Sequence, residues 1–328
     1  MKLHILIVSN GTIPVNKYGG IERVIWHLGK ELAAMGHRIT FLVGAGSKCD
    51  FGEVLPYNPD LPVSSQVPDN VDIVHSFLLD WDSNSKPFIC TVEINTRRRK
   101  IHQNSVFVSG DHAKRYGSNT FVYNGLGLED YGTPDFKVDR TYMHFLGKAA
   151  WKVKNLRGCI DIARKSNNKL MVMGGNRINF NMGIKIYTAR HIRFAGMVGG
   201  ERKNRLINKS KALLFPVLWS EPFGIAITES LYFGCPVFGT PYGSLPELIT
   251  PEFGFLSDKK TEIVDALKHI DQYDRKKCHE YVCEKFSSKQ MAEKYLLLYE
   301  KVMNGQKLNS APPKLLDPDL IDKLPFFD

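Results

Sequence analysis

Two carboxylates, Glu221 and Glu229, stand eight positions apart in "LWSEPFGIAITESLYFGCPVFGTPYGSLPEL", with Pro222-Phe223-Gly224 between them. The preceding run "ALLFPVLW" predicts a strand, and Gly224 to Phe233 a helix stopped by Gly234 ahead of Pro236. Glu221 then lies just before the helix, at its positive end, and Glu229 about a turn and a half inside it. A hydroxyl-rich ligand laid across that end uses both, because a carboxylate accepts paired hydrogen bonds from a vicinal diol. First-turn N–H groups at Phe223, Gly224 and Ile225 are expected to bind oxygens directly. The blander reading makes Glu221 a partner of the helix dipole and leaves Glu229 exposed. The second glycine-rich turn, "GTPYGSLPEL", adds weight to a binding site.

Two further segments carry groups suited to an anion. In "FLGKAAWKVKN" a strand ends at Leu146-Gly147, and Lys148, Lys152 and Lys154 follow within seven residues. Ammonium groups at the mouth of a sheet neutralise a diphosphate as it leaves, although lysines are usually solvated chain ends. In "NGTIPVNKYGGIERV" the pair Gly19-Gly20 opens a helix, where backbone N–H groups and the dipole favour negative charge. A third glycine at dinucleotide spacing is missing, and a plain tight turn explains the pair equally well. The six cysteines are scattered without a CxxC pair, so neither a structural metal nor a disulfide framework is expected.

The elements that would position these groups alternate between strand and helix. Strands are predicted at Leu3–Ser9, Ile39–Val43, Ile73–Ser76, Phe88–Val92, Val106–Ser109 and Phe121–Tyr123, with a helix over Ile21–Met35. The pattern restarts at Tyr142–Gly147 and continues through "KLMVMGG", "IRFAGMV", "KALLFPV", "CPVFGT" and "FGFLS". Such alternation implies two doubly wound parallel sheets, with ligands at the carboxyl ends of their strands. The expected division is 1–138 for an acceptor-side domain and 139–285 for a donor domain, followed by a closing helix over 286–304 and an irregular tail over 305–328. Residues 1–140 carry 15 basic and 15 acidic side chains, whereas Lys148–Lys211 holds 16 basic against two acidic ones, Asp161 and Glu201. That field attracts phosphates or an acidic membrane surface, but no aromatic-basic interleaving points to specific nucleic-acid binding. No apolar run approaches the roughly 20 residues of a membrane span, and "MKLHILIVSN" reads as a first buried strand. A cytoplasmic protein is expected, with peripheral contact at the inner membrane surface open.

Taken together, these segments resemble the retaining glycosyltransferases of family 4. "YGGIERVIWHLGKELAAMGHRITFLV" is similar to their opening segment, "FVSGDHAKRYG" and "VYNGLGLEDY" to their late N-domain and linker, and "EPFGIAITE" to their E-x7-E motif. "FLGKAAWK" resembles their Gly-Arg…Lys phosphate motif, and "FSSKQMAEKYLLLYEKVM" their closing helix. The resemblance implies a GT-B fold, two Rossmann-like domains facing a central cleft. It implies transfer of a hexose, with glucose the first expectation, from a UDP-linked donor, without metal or other cofactor. Glu221 and the N–H groups of Phe223 and Gly224 would hold the sugar, and Glu229 the ribose. Lys148 and Lys152 would hold the diphosphate, beside Gly19 and Gly20. The acceptor, a small molecule, glycan or lipid-linked species, would lie on the first domain.

Three departures from that pattern matter. Lys148 replaces the usual arginine and gives up bidentate phosphate geometry. Relative to that motif one residue is missing before Lys152, which makes Lys154 an alternative equivalent. Glu93, in "FICTVEINTRRRK", stands where the family has a histidine near the reacting centre. Either Glu93 takes over a polar contact or activity is altered. His75, at a strand end, is read as a cleft residue or as a structural one. Rival functions are a sugar-nucleotide epimerase of the same fold and a catalytically weak sugar-nucleotide-binding protein.

Overall fold

The run His4–Val8 is buried at all five positions and forms β1. A strand covered on both faces reads as continuous apolar sequence rather than alternation, as parallel sheets require. The structure is a computed structural model, and it describes residues 2–15, 19–79, 86–97, 101–179, 185–187, 189–321 and 324–328. After β1 come α1 (Gly20–Ala34), β2 (Arg38–Val43), β3 (Glu53–Pro56), β4 (Ile73–Ser76), β5 (Phe88–Val92), β6 (Ser105–Phe107) and α2 (Gly110–Arg115). All six strands are parallel in the order β3-β2-β1-β4-β5-β6, so the chain reverses its direction of winding at β1. β3 escapes the sequence reading because it is a half-exposed edge strand without an apolar run. The strand expected at Phe121–Tyr123 is reduced to a single bridge between Phe121 and Phe107.

The second half repeats the plan with β7 (Tyr142–Leu146), α3 (Leu156–Lys165) and β8 (Leu170–Met173). A short antiparallel pair follows, β9 (Ile178–Asn179) and β10 (Lys185–Ile186). Then come β11 (Ile192–Gly196), α4 (Gly200–Asn208), β12 (Ser210–Phe215), α5 (Ile225–Tyr232), β13 (Val237–Gly239) and α6 (Leu245–Leu248). β14 (Gly254–Leu256), α7 (Lys260–Ala266) and α8 (Arg275–Lys285) complete it. The six-stranded sheet runs β11-β8-β7-β12-β13-β14. Its core packs Phe145, Val172, Leu214 and Phe238 against Cys159, Ile162 and Ala163 of α3.

Contacts divide the chain into two units at Gly127 and Leu128, earlier than the expected boundary at 138/139. Gly19–Gly127 and Phe286–Pro318 lie in the first unit with the opening residues, and Leu128–Lys285 and Asp319–Asp328 in the second. The closing helix, α9 (Ser288–Met303), is therefore part of the first unit, capped by the Ser287 hydroxyl on Gln290 N–H. The tail divides too. Leu316 N–H bonds Arg115 O in the first unit, whereas Ser220 N–H bonds Ile321 O and Leu324 N–H bonds Leu218 O in the second. Among the described residues, no helix is long and apolar enough to cross a membrane.

α9 settles the role of His75. The imidazole is fully buried, with Nδ1 2.7 Å from Tyr299 Oη and Nε2 2.7 Å from Thr91 Oγ1, which in turn lies 2.7 Å from Tyr295 Oη. Both ring nitrogens are used, so His75 pins α9 to β4 and β5 and belongs to the core, not to a ligand site. Burial pushes its pKa down to about 3, and it does the same to His144, held by Ser210 and Ser230 in the second unit. The unfolded chain takes up a proton near pH 6.5 that the native state refuses. Stability present above that pH is therefore lost as the pH falls toward 3, by about 1.4 kcal/mol per unit for each histidine. Denaturant titrations between pH 8 and 5 are expected to show a shallower acid loss in His75→Gln than in the wild type. Parallel slopes would show that His75 does not titrate this way.

Candidate functional site

The loop between β12 and α5 presents Glu221, whose side chain is nearly buried. Its Oε2 accepts from Lys154 Nζ at 2.6 Å and from Trp219 Nε1 at 2.7 Å. The ammonium also lies 4.9 Å from the Trp219 ring centroid and 5.2 Å from that of Phe215. A buried cation is tolerable only with such company: a carboxylate for its charge and ring faces beside it. Lys154 arrives there because Lys152–Lys154 forms a single tight helical turn, ended by Asn155 in a left-handed conformation. Asn155 then caps α3, and Leu218 N–H bonds Val153 O, tying the turn to the Glu221 loop. Lys152, expected with Lys148 to contact the diphosphate, is exposed. Lys148 is half-buried, with its Nζ 5.4 Å from the Trp151 ring centroid.

The glycine-rich turn after β13 braces the same loop from behind. Ser244 N–H bonds Glu221 O, and the Ser244 hydroxyl donates to Phe223 O at 2.8 Å. Gly224 takes φ +86° and starts α5, in which Ile227 N–H makes the first backward bond to Gly224 O. The N–H of Ile225 thus lies ahead of the helical ladder, at the positive end beside Glu221.

Glu229 points into a second buried cluster rather than to solvent. Its Oε1 accepts from Tyr131 Oη at 2.8 Å and pairs with Lys203 of α4, whose Nζ lies 5.0 Å from the Tyr131 ring centroid. Asn204, the next residue of α4, donates to the carbonyls of Asp130 and Tyr131 and so holds that segment against the helix. Two lysines of the strongly basic stretch, Lys154 and Lys203, are therefore internal counter-ions and not part of a solvated face. Sequence reasoning missed Lys203, Tyr131 and Ser244. Lys203 sits in the largely polar "GERKNRLIN", where the one signal of the inward side is the apolar Ile207 four positions on, buried with Lys203. Trp219, two positions from Glu221, was available to it.

The first unit has its own group of polar side chains at the carboxyl edge of its sheet. Gly19 and Gly20 open α1, and the Glu22 carboxylate fills the space where a Cβ on Gly11 or Gly19 would stand. Residues 16–18 of that loop, and Arg98, Arg99 and Lys100 of the basic run, lie outside the described residues. Glu93 follows β5 and accepts from Asn124 Nδ2 at 2.8 Å on Oε2, while its Oε1 and the Asn124 Oδ1 are buried without a partner. Burial pushes the Glu93 carboxyl up to about 7, with the Asn124 bond opposing and the Glu22 charge adding to the rise. No group of three or more metal-ligating side chains occurs among the described residues.

Residues 133–290, which include Glu221, Glu229 and their lysine partners, match the family described as glycosyl transferases group 1. Over those residues the chain is similar to a group 1 glycosyltransferase domain. A curated relative, an uncharacterized 41.2 kDa protein of the cps region of Klebsiella pneumoniae, is 28% identical over 114 residues. The chain spans about a third of that relative's length, 32%, and the match takes in 33% of this chain. Among solved structures, AviGT4, a glycosyltransferase involved in avilamycin A biosynthesis, superposes with a TM-score of 0.76 at 18% identity, covering 92% of this chain and 98% of that one. Sucrose-phosphate synthase from Thermosynechococcus elongatus gives 0.70 at 13% identity over 93% and 100%. HepE from Anabaena, solved with UDP and glucose, gives 0.65 at 12% over 91% and 100%. The fold is thus GT-B, and the segment that matches the group 1 family holds Glu221, Glu229, Lys148, Lys154 and Lys203.

Proposed function

We propose that the chain transfers a hexose from a UDP-linked donor to an acceptor hydroxyl, with the anomeric configuration retained and without a metal ion. The observation that carries this reading is the Lys154–Glu221–Trp219 cluster at the head of α5, inside the segment that matches the group 1 family. Glu221 offers a carboxylate at a helix N-terminus to sugar hydroxyls. Lys154, with one N–H engaged by Glu221, keeps donors for phosphate oxygens, and Lys148 stands at the end of β7 as a second cation. Glu229, fixed by Lys203 and Tyr131, takes the ribose hydroxyls. The bond from the anomeric carbon to the phosphate oxygen breaks, the bond to the acceptor oxygen forms on the same face, and the acceptor's proton passes to the departing phosphate. The lysines stabilise that phosphate's charge, which is where such a mechanism takes most of its rate. The UDP bound by HepE supports the choice of base, and glucose in the same complex supports the choice of hexose.

The test is to incubate the purified chain with UDP-glucose, UDP-galactose, ADP-glucose and GDP-mannose, with and without EDTA, and follow nucleotide release. UDP release from a UDP-hexose, unchanged by EDTA, is the expected result. Release from none of the four would overturn the reading, and an epimerised nucleotide sugar would replace it with the rival chemistry. Loss with EDTA that magnesium restores would remove metal independence.

A further inference from the structure

The carboxyl edge of the first unit's sheet holds hydrogen-bond acceptors that lack donors. Asn124 is 3% exposed, and its amide orientation is fixed because Nδ2 donates to Glu93 Oε2. Its Oδ1 therefore points away from that bond, buried and unpartnered, as is Glu93 Oε1. Buried polar atoms in native proteins are almost always satisfied, and two orphans on one bonded pair mark a place that something else completes. The surrounding groups do not supply the completion. Glu22 of α1 adds a second carboxylate that raises the energy of a charged Glu93, and Tyr295 of α9 is a buried neutral phenol already bonded to Thr91. No described lysine, arginine or histidine forms an ion pair with Glu93 or Glu22. Among the described residues, the charge that acts on this pair is the Glu22 carboxylate, and in open α/β sheets the carboxyl edge is where ligands sit.

We propose that Glu93, Asn124 and Glu22 bind the acceptor of the transfer reaction through its own hydroxyl donors, and that the acceptor group seated there is an unphosphorylated sugar. The word acceptor rests on the function proposed above; the binding chemistry does not. Sugar hydroxyls donate to Glu93 Oε1 and Asn124 Oδ1, which the protein leaves unsatisfied. A phosphate or carboxylate in the same place would bring a third anion to two carboxylates and offer no donors. Specificity of this kind is steep, since a site built to accept hydrogen bonds rejects a ligand that lacks donors.

The experiment uses the full chain with methyl α-glucoside and glucose 6-phosphate as probes, read by saturation-transfer NMR, and UDP titrated in parallel. Methyl α-glucoside is expected to bind, and glucose 6-phosphate to bind at least ten-fold more weakly. Glu93→Gln, which keeps the shape but sets an amide N–H where the orphan oxygen lies, should weaken methyl α-glucoside at least ten-fold. In the wild type, 13C titration should show the Glu93 carboxyl becoming more acidic when methyl α-glucoside is added, because a donated hydrogen bond favours the charged form. That readout needs no variant to fold. Equal binding of the two probes, unchanged binding by Glu93→Gln, or an unmoved Glu93 titration each overturns the proposal. UDP binding that persists while the sugar fails would confine the failure to this site, whereas loss of UDP binding would strike the proposed function itself.

Discussion

Lys154→Met is expected to abolish nucleotide release from the donor and to cost the second unit about 3–5 kcal/mol of stability, the usual result of stranding one member of a buried ion pair. The side chains of Lys154 and Glu221 are 11% and 7% exposed, so water replaces little of the lost ammonium. The Trp219 indole N–H remains on Glu221, but a neutral donor does not balance a buried negative charge. The double variant Lys154→Met/Glu221→Gln separates the two roles. It removes both charges, so most of the stability should return while turnover does not. Lys152→Ala, at an exposed position on the same turn, should change stability by no more than about 0.5 kcal/mol. It should also leave more donor turnover than Lys154→Met. Urea denaturation and UDP release on the four proteins decide the matter. Full activity in Lys154→Met, or a larger loss in Lys152→Ala, would return the diphosphate contact to Lys152.

What the sequence disclosed follows from how local each feature is. β1 and β5 were legible because both their faces are covered, which writes each as a mostly apolar run, and β4 was legible from its buried Ile73-Val74. β3 was not, because its side chains lie at a sheet edge where no such run is required. In the site, Glu221 and Glu229 could be found from type and spacing, since one short helix fixes their relation. The partner of each could not. Whether Lys152 or Lys154 turns inward depends on a left-handed Asn155, a conformation one residue wide. Lys203 meets Glu229 across 26 positions and Tyr131 meets it across 98, contacts set by the packing of α4 and α5 and by nothing in either segment. His75 is the sharpest case. A histidine at a strand end suits a ligand site or a core, and the choice is made by Tyr299, 224 positions away.

Gly243→Ala is expected to lower transfer at least 100-fold even though the substitution adds one methyl group outside the carboxylate clusters. At φ +64° the residue is in the left-handed region, and a Cβ there would stand 2.3 Å from Glu221 N and 2.4 Å from Glu221 O. These are backbone atoms, and no rotamer relieves the contact. The loop carrying Glu221 must move, and with it the bond from Ser244 N–H to Glu221 O and the one from the Ser244 hydroxyl to Phe223 O. A shift of about 1 Å in a positioning group is enough for a loss of that size. The stability cost combines about 1–2 kcal/mol for alanine in the left-handed region with about 1–3 kcal/mol for overpacking. Gly305→Ala supplies the control, because that glycine has φ +77° and open space around its missing Cβ. It should show the backbone part alone and leave donor turnover intact. Ser244→Ala should fall between them, losing one hydrogen bond of about 1 kcal/mol without forcing the backbone. If Gly243→Ala matched Gly305→Ala in both denaturation and turnover, the turn would be a connector and not the brace that sets Glu221.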